Sequence, residues 1–227
     1  MYNILETPSF GIIISVLFFS LGLFLNKKFK SPLLNPILIA IICIISTLLI
    51  FDIPYENYKI GADSINFFLG PITVLLAVPL YKQFDLLKKH FTSILIGITS
   101  GVLTSFLSIT ILTTLLQGDS IITNSLIPKS ITTPMGISLS RNIGGIESIT
   151  VVSIIITGIT GAIIAPIVCK AFKNPVAKGI GIGTASHAIG TSRAIQMGEI
   201  EGAMSGLSIG ISGLLTVIII PLLTPLF

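Results

Sequence analysis

Residues 178–202 read KGIGIGTASHAIGTSRAIQMGEIEG and lie between two apolar runs of the chain. The segment is rich in glycine and hydroxyl side chains, and it holds one of the two histidines, His187, and one of the two arginines, Arg193. A helix that faces lipid would not have this composition. A polar segment broken by glycine is tolerated at membrane depth only where it is buried in protein or lines a water-filled cavity. Residues 178–202 are therefore the first candidate for a substrate site.

The composition of the whole chain is typical of a membrane protein. The chain has 227 residues, 52% of them hydrophobic and 10% charged, with a mean hydropathy of +1.02. Soluble domains carry about 25% charged residues. Long apolar runs separate short charged ones, so we predict an all-α polytopic membrane protein of about six to eight membrane elements. We expect one integral membrane domain over 1–227, with N-terminal scaffold helices at 1–64 and a transport core of two weakly similar halves at 65–227.

The basic residues indicate membrane topology rather than nucleic-acid binding. The net charge is +4, and the lysines fall in short clusters between the apolar runs, as in the cytoplasmic loops of membrane proteins. The cluster at 27–30 places the N-terminus outside the cell. We therefore expect the lipid bilayer as a partner and no nucleic acid.

Three interrupted segments lie among the apolar runs that predict membrane spans. The spans are 9–25, 33–51, 91–116, 151–168 and 205–227, and the interrupted segments are 65–81, 121–147 and 178–202. Gly70 and Pro71 predict a broken helix in the first interrupted segment. For the second, a re-entrant hairpin is favoured because the span after it must run inward toward the lysines that follow; the alternative is a single crossing, which would invert everything after it. The third either crosses or re-enters.

A weak internal similarity predicts an inverted repeat. AVPLYKQ at 77–83 matches GISLSRN at 136–142, and GITS at 97–100 matches GITG at 158–161. The flanking charges make the two following spans run in opposite directions. Interrupted segments at matching positions of opposed halves indicate a binding site in secondary transporters. Chance similarity between segments rich in Ile, Ser and Thr is the alternative.

Residues 178–202 supply the first group of candidate substrate-binding residues. They are Gly183, Thr184, Ser186, His187, Thr191 and Arg193. Small residues and hydroxyls also serve helix packing, but packing explains the histidine and the arginine poorly, because ionisable groups inside a membrane are costly. Arg193 alternatively reaches an interface near Glu199 and Glu201.

The other two interrupted segments supply the remaining candidates. In the second they are Thr132, Thr133, Pro134, Ser138, Arg141 and Asn142, and in the first they are Asn66 and Thr73. A half-helix that starts near Pro134 would direct free N–H groups and a positive dipole end at a carboxylate. Arg141 would pair with that carboxylate, or alternatively with Glu147 in an interfacial loop.

Enzyme activity is not expected. The chain has no HExxH motif and no nucleophile elbow, and its two cysteines, Cys43 and Cys169, lie inside apolar runs. The ionisable residues counted inside the membrane are His187, Arg141 and Arg193. This set suits anion binding with a proton passenger better than hydrolysis, and it implies no cofactor or metal.

Four motifs resemble the LrgB/CidB family over essentially the whole chain. They are PLYKQ at 79–83, KSITTP at 129–134, SRNIGG at 140–145 and GTASHAIGTSRA at 183–194. The resemblance implies a multi-pass protein of the bacterial cell membrane, with relatives in the plant chloroplast glycolate/glycerate translocator. One implied function is transport of small carboxylates such as pyruvate, lactate, glycolate or glycerate. The other is antiholin-like control of murein hydrolase activity and lysis with a small holin-like LrgA/CidA partner.

The residues and the resemblance together favour a secondary transporter of small monocarboxylates, in which His187 would either bond the second oxygen of the substrate or carry a coupled proton. The family pattern often has an acid before the second motif, as in MDISR, whereas this chain has MGISLSR. A coupling scheme that uses that acid is therefore not available here. The alternative functions are the antiholin-like regulator and a passive channel. Small-residue helix faces also predict a homo-oligomer.

Overall fold

The computed structural model describes residues 4–29, 34, 36–68, 71, 81 and 84–224, and every regular element in these residues is helical. The α-helices are α1 (Pro8–Phe29), α2 (Pro36–Ile50), α3 (Tyr55–Asn66), α4 (Phe84–Leu115), α5 (Ser120–Leu126), α6 (Thr133–Asn142), α7 (Glu147–Val168), α8 (Pro175–Met197) and α9 (Glu199–Leu223). In the described residues, α1, α4, α7 and α9 are long and apolar enough to cross a membrane. These findings confirm the all-α polytopic membrane fold.

The chain divides into two compact units, Met1–Leu75 and Leu76–Phe227. In the first unit, α1 packs against both α2 and α3. The contact between α1 and α3 needs glycine, because a Cβ on Gly11 would lie 2.9 Å from the Cα of Gly61. The functional division into scaffold and core stays a prediction. The broken helix at 65–81, Thr73 and most of AVPLYKQ lie outside the described residues.

Residues 120–142 of the second unit form a re-entrant hairpin. Helices α5 and α6 have 7 and 10 residues, and a ten-residue helix spans about 15 Å, half the hydrocarbon core. A 3-10 turn at Ile127–Ser130 joins them. The last turn of α5 lies beside the residues that follow α6, since Asn124 Nδ2 donates to the Ile143 carbonyl at 2.6 Å and Ile146 N donates to Ser125 Oγ at 2.7 Å, so the chain between them leaves and returns at one place. Of the two alternatives for residues 121–147, crossing or re-entry, the structure shows re-entry.

Helix α8 is two half-helices separated at His187. The backbone of His187 has φ 42° and ψ −138°, which is not helical. The residues before the break run parallel to α9: a Cβ on Gly179 would lie 2.7 Å from Met204 Cβ, and one on Gly183 would lie 2.8 Å from Ser208 Cβ.

The residues after the break run antiparallel to α9. Thr191 Oγ1 is 2.7 Å from Ser205 Oγ, and a Cβ on Gly202 would lie 2.9 Å from Ile195 Cγ1. The chain therefore reverses direction at His187. Of the two alternatives for residues 178–202, crossing or re-entry, the structure shows re-entry.

The second unit repeats one pattern, a long helix followed by a re-entrant hairpin. Helix α4 precedes the first hairpin and α7 precedes the second. These two helices run in opposite directions, because the first turns of α4 and the last turns of α7 line one cavity. The hairpins therefore enter the unit from opposite ends, as expected of an inverted repeat. The matched GIT sequences at 97–99 and 158–160 lie in α4 and α7.

Candidate functional site

The main polar cavity of the second unit lies between α4, α7, α8 and the tip of the first hairpin. Its volume is about 720 Å³. Hydroxyl side chains are frequent in its lining, and they include Ser100, Thr104, Ser105, Ser108, Thr157 and Thr160. Several consecutive turns of α4 and α7 thus present hydroxyls and glycine to the same space. These side chains give the cavity a polar surface beside the tip of the first hairpin.

Lys129 brings a cation to this cavity. It lies in the turn at the tip of the first hairpin, and its Nζ donates to Ser105 Oγ and to Ser130 Oγ, each at 3.2 Å. The two hydroxyls are 3.1 Å apart. The ion pairs among the described residues are Lys59–Glu56 and Arg141–Glu147, so Lys129 has no carboxylate partner there. A cation placed in a membrane protein without an anion is costly, which makes this position suited to an anionic ligand.

Thr184, in the first half of α8, contributes an unsatisfied hydroxyl to the same lining. The residue is 7% exposed, and its Oγ1 is buried without a hydrogen-bond partner. Most buried polar side-chain atoms have a partner, so an orphan hydroxyl needs an explanation. Gly101 on α4 makes room for this side chain, because a Cβ there would lie 2.8 Å from Thr184 Cγ2. A bound ligand with an oxygen atom would satisfy the hydroxyl.

Thr184 and Ser186 are the candidates from residues 178–202 that line the polar cavity. His187 is buried beside it, and its Nε2 donates to the Ile154 carbonyl at 3.0 Å. Thr191 donates to the His187 carbonyl at 2.8 Å. Gly183 packs against the main chain of α9. These three residues therefore shape the hairpin tip.

The two predicted arginines lie away from the cavity lining. Arg141 is exposed, and its Nε donates to Glu147 Oε1 at 2.7 Å. This contact is the interfacial pair that the sequence left open as an alternative. Arg193 lies in the half of α8 that follows the break, and its Nη1 donates to Gln196 Oε1 at 2.6 Å. Neither guanidinium contacts Lys129 or Thr184 in the structure.

The remaining candidates lie in or next to α6, at the end of α3, and outside the described residues. Helix α6 begins at Thr133, with Thr132 before it and Pro134 in its first turn, so the predicted half-helix start is present. The exposed candidates are Pro134, Ser138, Asn142 and Asn66. Asn66 ends α3 in the first unit, and Thr73 falls outside the described residues. Their roles in binding stay predictions.

The substrate-binding residues predicted from the sequence do not include Lys129, Ser105 and Ser130. The count of ionisable residues inside the membrane omitted Lys129, although it lies within a predicted re-entrant segment. The rule that intramembrane charges are functional by default would have selected it. Ser105 could not be found in this way, since it lies 24 residues before Lys129 on another helix.

The fold and site define a class of protein: a polytopic α-helical membrane protein whose two opposed re-entrant hairpins border a polar cavity with a half-buried cation. The sequence model of the LrgB-like family matches residues 15–226, so the chain belongs to that family. It is 36% identical over 222 residues to proteins named antiholin-like protein LrgB from Bacillus cereus and from Bacillus anthracis, covering 96% of this chain and of each relative. No solved structure matches it.

Proposed function

We propose that this chain is a secondary carrier of small monocarboxylates in the bacterial cell membrane, and that Lys129 pairs with the carboxylate. The observation that carries the proposal is a half-buried ammonium in the cavity lining, held by two serine hydroxyls, without a carboxylate partner among the described residues. The cavity around it has the volume of a small-molecule site, for which about 300–1,000 Å³ is usual.

The lining favours a small acid that carries a second oxygen. The ammonium would bind one carboxylate oxygen. Ser105 and Ser130, whose hydroxyl oxygens accept hydrogen bonds from the ammonium, would donate their own hydroxyl protons to the same carboxylate. The Thr184 hydroxyl, which lacks a partner, would bond a 2-oxo or 2-hydroxy oxygen. Pyruvate, lactate, glycolate and glycerate all have these two groups.

The opposed hairpins favour a carrier over a passive channel. In secondary transporters, discontinuous helices of inverted repeats meet near the middle of the bilayer and hold the substrate there. Here the hairpin with Lys129 at its tip and the hairpin with His187 at its tip enter the same unit from opposite ends. Movement of one hairpin at a time would expose the cavity to one side at a time.

The test is uptake of labelled lactate into liposomes that contain only the purified chain, with and without a pH gradient. A carrier gives uptake that saturates with lactate concentration, and proton coupling makes the gradient accelerate it. Uptake equal to that of empty liposomes would contradict the proposal. Uptake that rises linearly with concentration would indicate a channel instead.

An antiholin-like function is the second candidate, and the names of the relatives favour it more directly than they favour transport. In this function the chain would act with a small holin-like membrane protein and restrain murein hydrolase activity and lysis. It predicts that Lys129→Met still restrains lysis in cells, whereas substitutions on an exposed helix face abolish restraint. Loss of restraint with Lys129→Met alone would tie lysis control to the cavity.

A further inference from the structure

A second cavity adjoins the polar one. It has a volume of about 660 Å³ and lies between the first turns of α4, the last turns of α7 and the first half of α8. Its lining is mainly apolar, and its polar residues are His90, Ser93, Asn174, Lys178 and Ser186. Both cavities are lined by Gly97, Gly161, Ile180, Gly181, Ala185 and Ser186. We call this shared zone the waist.

The two cavities together follow most of the thickness of a membrane. On α4 the lining extends from His90 to Ser108, and these 18 steps correspond to about 27 Å of helix. The hydrocarbon core of a bilayer is about 30 Å thick. A ligand that moved along α4 from His90 would pass the waist before it reached the level of Lys129 and Ser108.

The waist includes three glycines, and it is open at Gly181, which is exposed. Apart from its chain neighbours and the nearby helix backbone, no atom of the described residues lies within 4 Å of a Cβ built on Gly181, and a Cβ on Gly97 would meet Ile180 Cγ2 at 3.8 Å. At Gly161 there is no such room, because a Cβ would overlap the side chain of Ser186. A larger side chain at 181 would therefore extend into the waist without displacing backbone.

Thr184 links the waist to a ligand. It lies three residues after Gly181, one turn further along the same half-helix, and its buried Oγ1 is the orphan hydroxyl of the polar cavity. An open waist by itself would be a packing feature. The unsatisfied hydroxyl directly beyond it indicates that a polar ligand reaches this point.

We infer that the ligand passes between the two cavities at Gly181, and that the absence of a side chain at this position sets the size limit of the path. The inference rests on the proposed transport function. It makes Gly181 a specificity-determining position for passage and leaves the contacts around Lys129 unchanged.

The first experiment compares Gly181→Leu with Gly210→Leu. Gly210 also lies within a helix with no atom within 4 Å of its added Cβ, and on α9 it shares a face with Leu214 and Ile218, which are 61% and 53% exposed. The control thus adds the same side chain away from both cavities. Lactate uptake should fall about tenfold or more in Gly181→Leu, the scale of a steric mismatch of one or more methylenes, and stay unchanged in Gly210→Leu. Lactate binding should be the same in both variants.

Two outcomes separate the failure of this inference from the failure of the proposed function. Uptake by Gly181→Leu at the rate of Gly210→Leu would overturn the inference and leave the carrier intact. No saturable uptake by the unmodified chain would overturn the carrier. The path is then decided by a measurement that does not depend on transport.

That measurement is thiol labelling of Gly181→Cys with a membrane-impermeant reagent, in a background of Cys43→Ser and Cys169→Ala. A path predicts that the new thiol is labelled from the aqueous phase and that Gly210→Cys is not. Equal protection of both thiols would overturn the inference, whether or not the chain carries lactate.

Discussion

Replacing Lys129 by methionine removes the ammonium while it keeps an unbranched side chain of similar length. The lost interaction is a charge-assisted hydrogen bond to the ligand, worth about 1.5–3 kcal/mol. Since about 1.4 kcal/mol corresponds to a tenfold change in affinity, lactate should bind about 10- to 150-fold more weakly. Calorimetric titration of the purified chain in detergent measures this change directly.

The same substitution should act in the opposite direction on the protein without ligand. The ammonium has two serine hydroxyls as partners and no carboxylate among the described residues, and an uncompensated charge in the interior of a membrane protein is destabilising. Lys129→Met should therefore unfold at the same or a higher temperature without lactate. It should also lose the stabilisation by lactate, which for the unsubstituted chain is about 2.7 kcal/mol at one hundred times Kd.

Lys173→Met is the matched control, because Lys173 is exposed in the loop before α8 and lines neither cavity. It should bind lactate as the unsubstituted chain does. Equal affinity of Lys129→Met and Lys173→Met would refute the reasoning. A lower unfolding temperature of Lys129→Met without lactate would show that the lysine has a structural role.

Three further substitutions test the hairpins through the unfolding temperature in detergent. Ser125→Ala removes the buried hydroxyl that accepts from the Ile146 N–H, so it should destabilise the protein by about 1–3 kcal/mol. No change would mean that water replaces the hydroxyl. Gly183→Leu places a side chain against Ser208, where a Cβ would already lie 2.8 Å from the serine Cβ. It should lower the free energy of unfolding by about 1–3 kcal/mol, whereas Gly210→Leu should leave it unchanged. His187→Gly should be more stable than His187→Ala by on the order of 1–3 kcal/mol. Both variants lose the hydrogen bond to the Ile154 carbonyl, but only glycine suits a backbone φ of 42°. Equal stability of the two variants would mean that the backbone at 187 relaxes.

The sequence predicted the first hairpin because its evidence is local. Pro128 and Pro134 interrupt an apolar run, and proline removes a backbone donor that a continuous helix needs. The charges on either side then required both ends of the segment to lie on one side of the membrane. The structure has a turn at Ile127–Ser130, which contains Pro128, and α6 then begins at Thr133 with Pro134 in its first turn.

The reversal at His187 could not be predicted in the same way. The residues around it contain no proline, and their composition is compatible with a continuous helix or with a break. The two halves are fixed by tertiary packing, with Gly179 and Gly183 against one stretch of α9 and Thr191 against Ser205. Such contacts depend on residues that are distant in the chain, so the sequence left crossing and re-entry open.

The residues predicted from the sequence fall partly inside and partly outside the cavity lining. Thr184 was selected from a glycine-rich polar motif, and it lines the cavity. The arginines were selected by charge, but Arg141 pairs with Glu147 on the surface. Charge alone does not show whether a residue points inward, and Lys129 is recognised only when the tip of its hairpin is set against Ser105.

The initial rate of lactate uptake by liposomes that contain either the unsubstituted chain or Lys129→Met tests the central claim most directly. The account predicts saturable uptake by the unsubstituted chain and a loss of about tenfold or more with Lys129→Met at lactate concentrations below Kd, in line with the weaker binding. Equal saturable uptake by both proteins would contradict the assignment of Lys129 as the residue that binds the carboxylate.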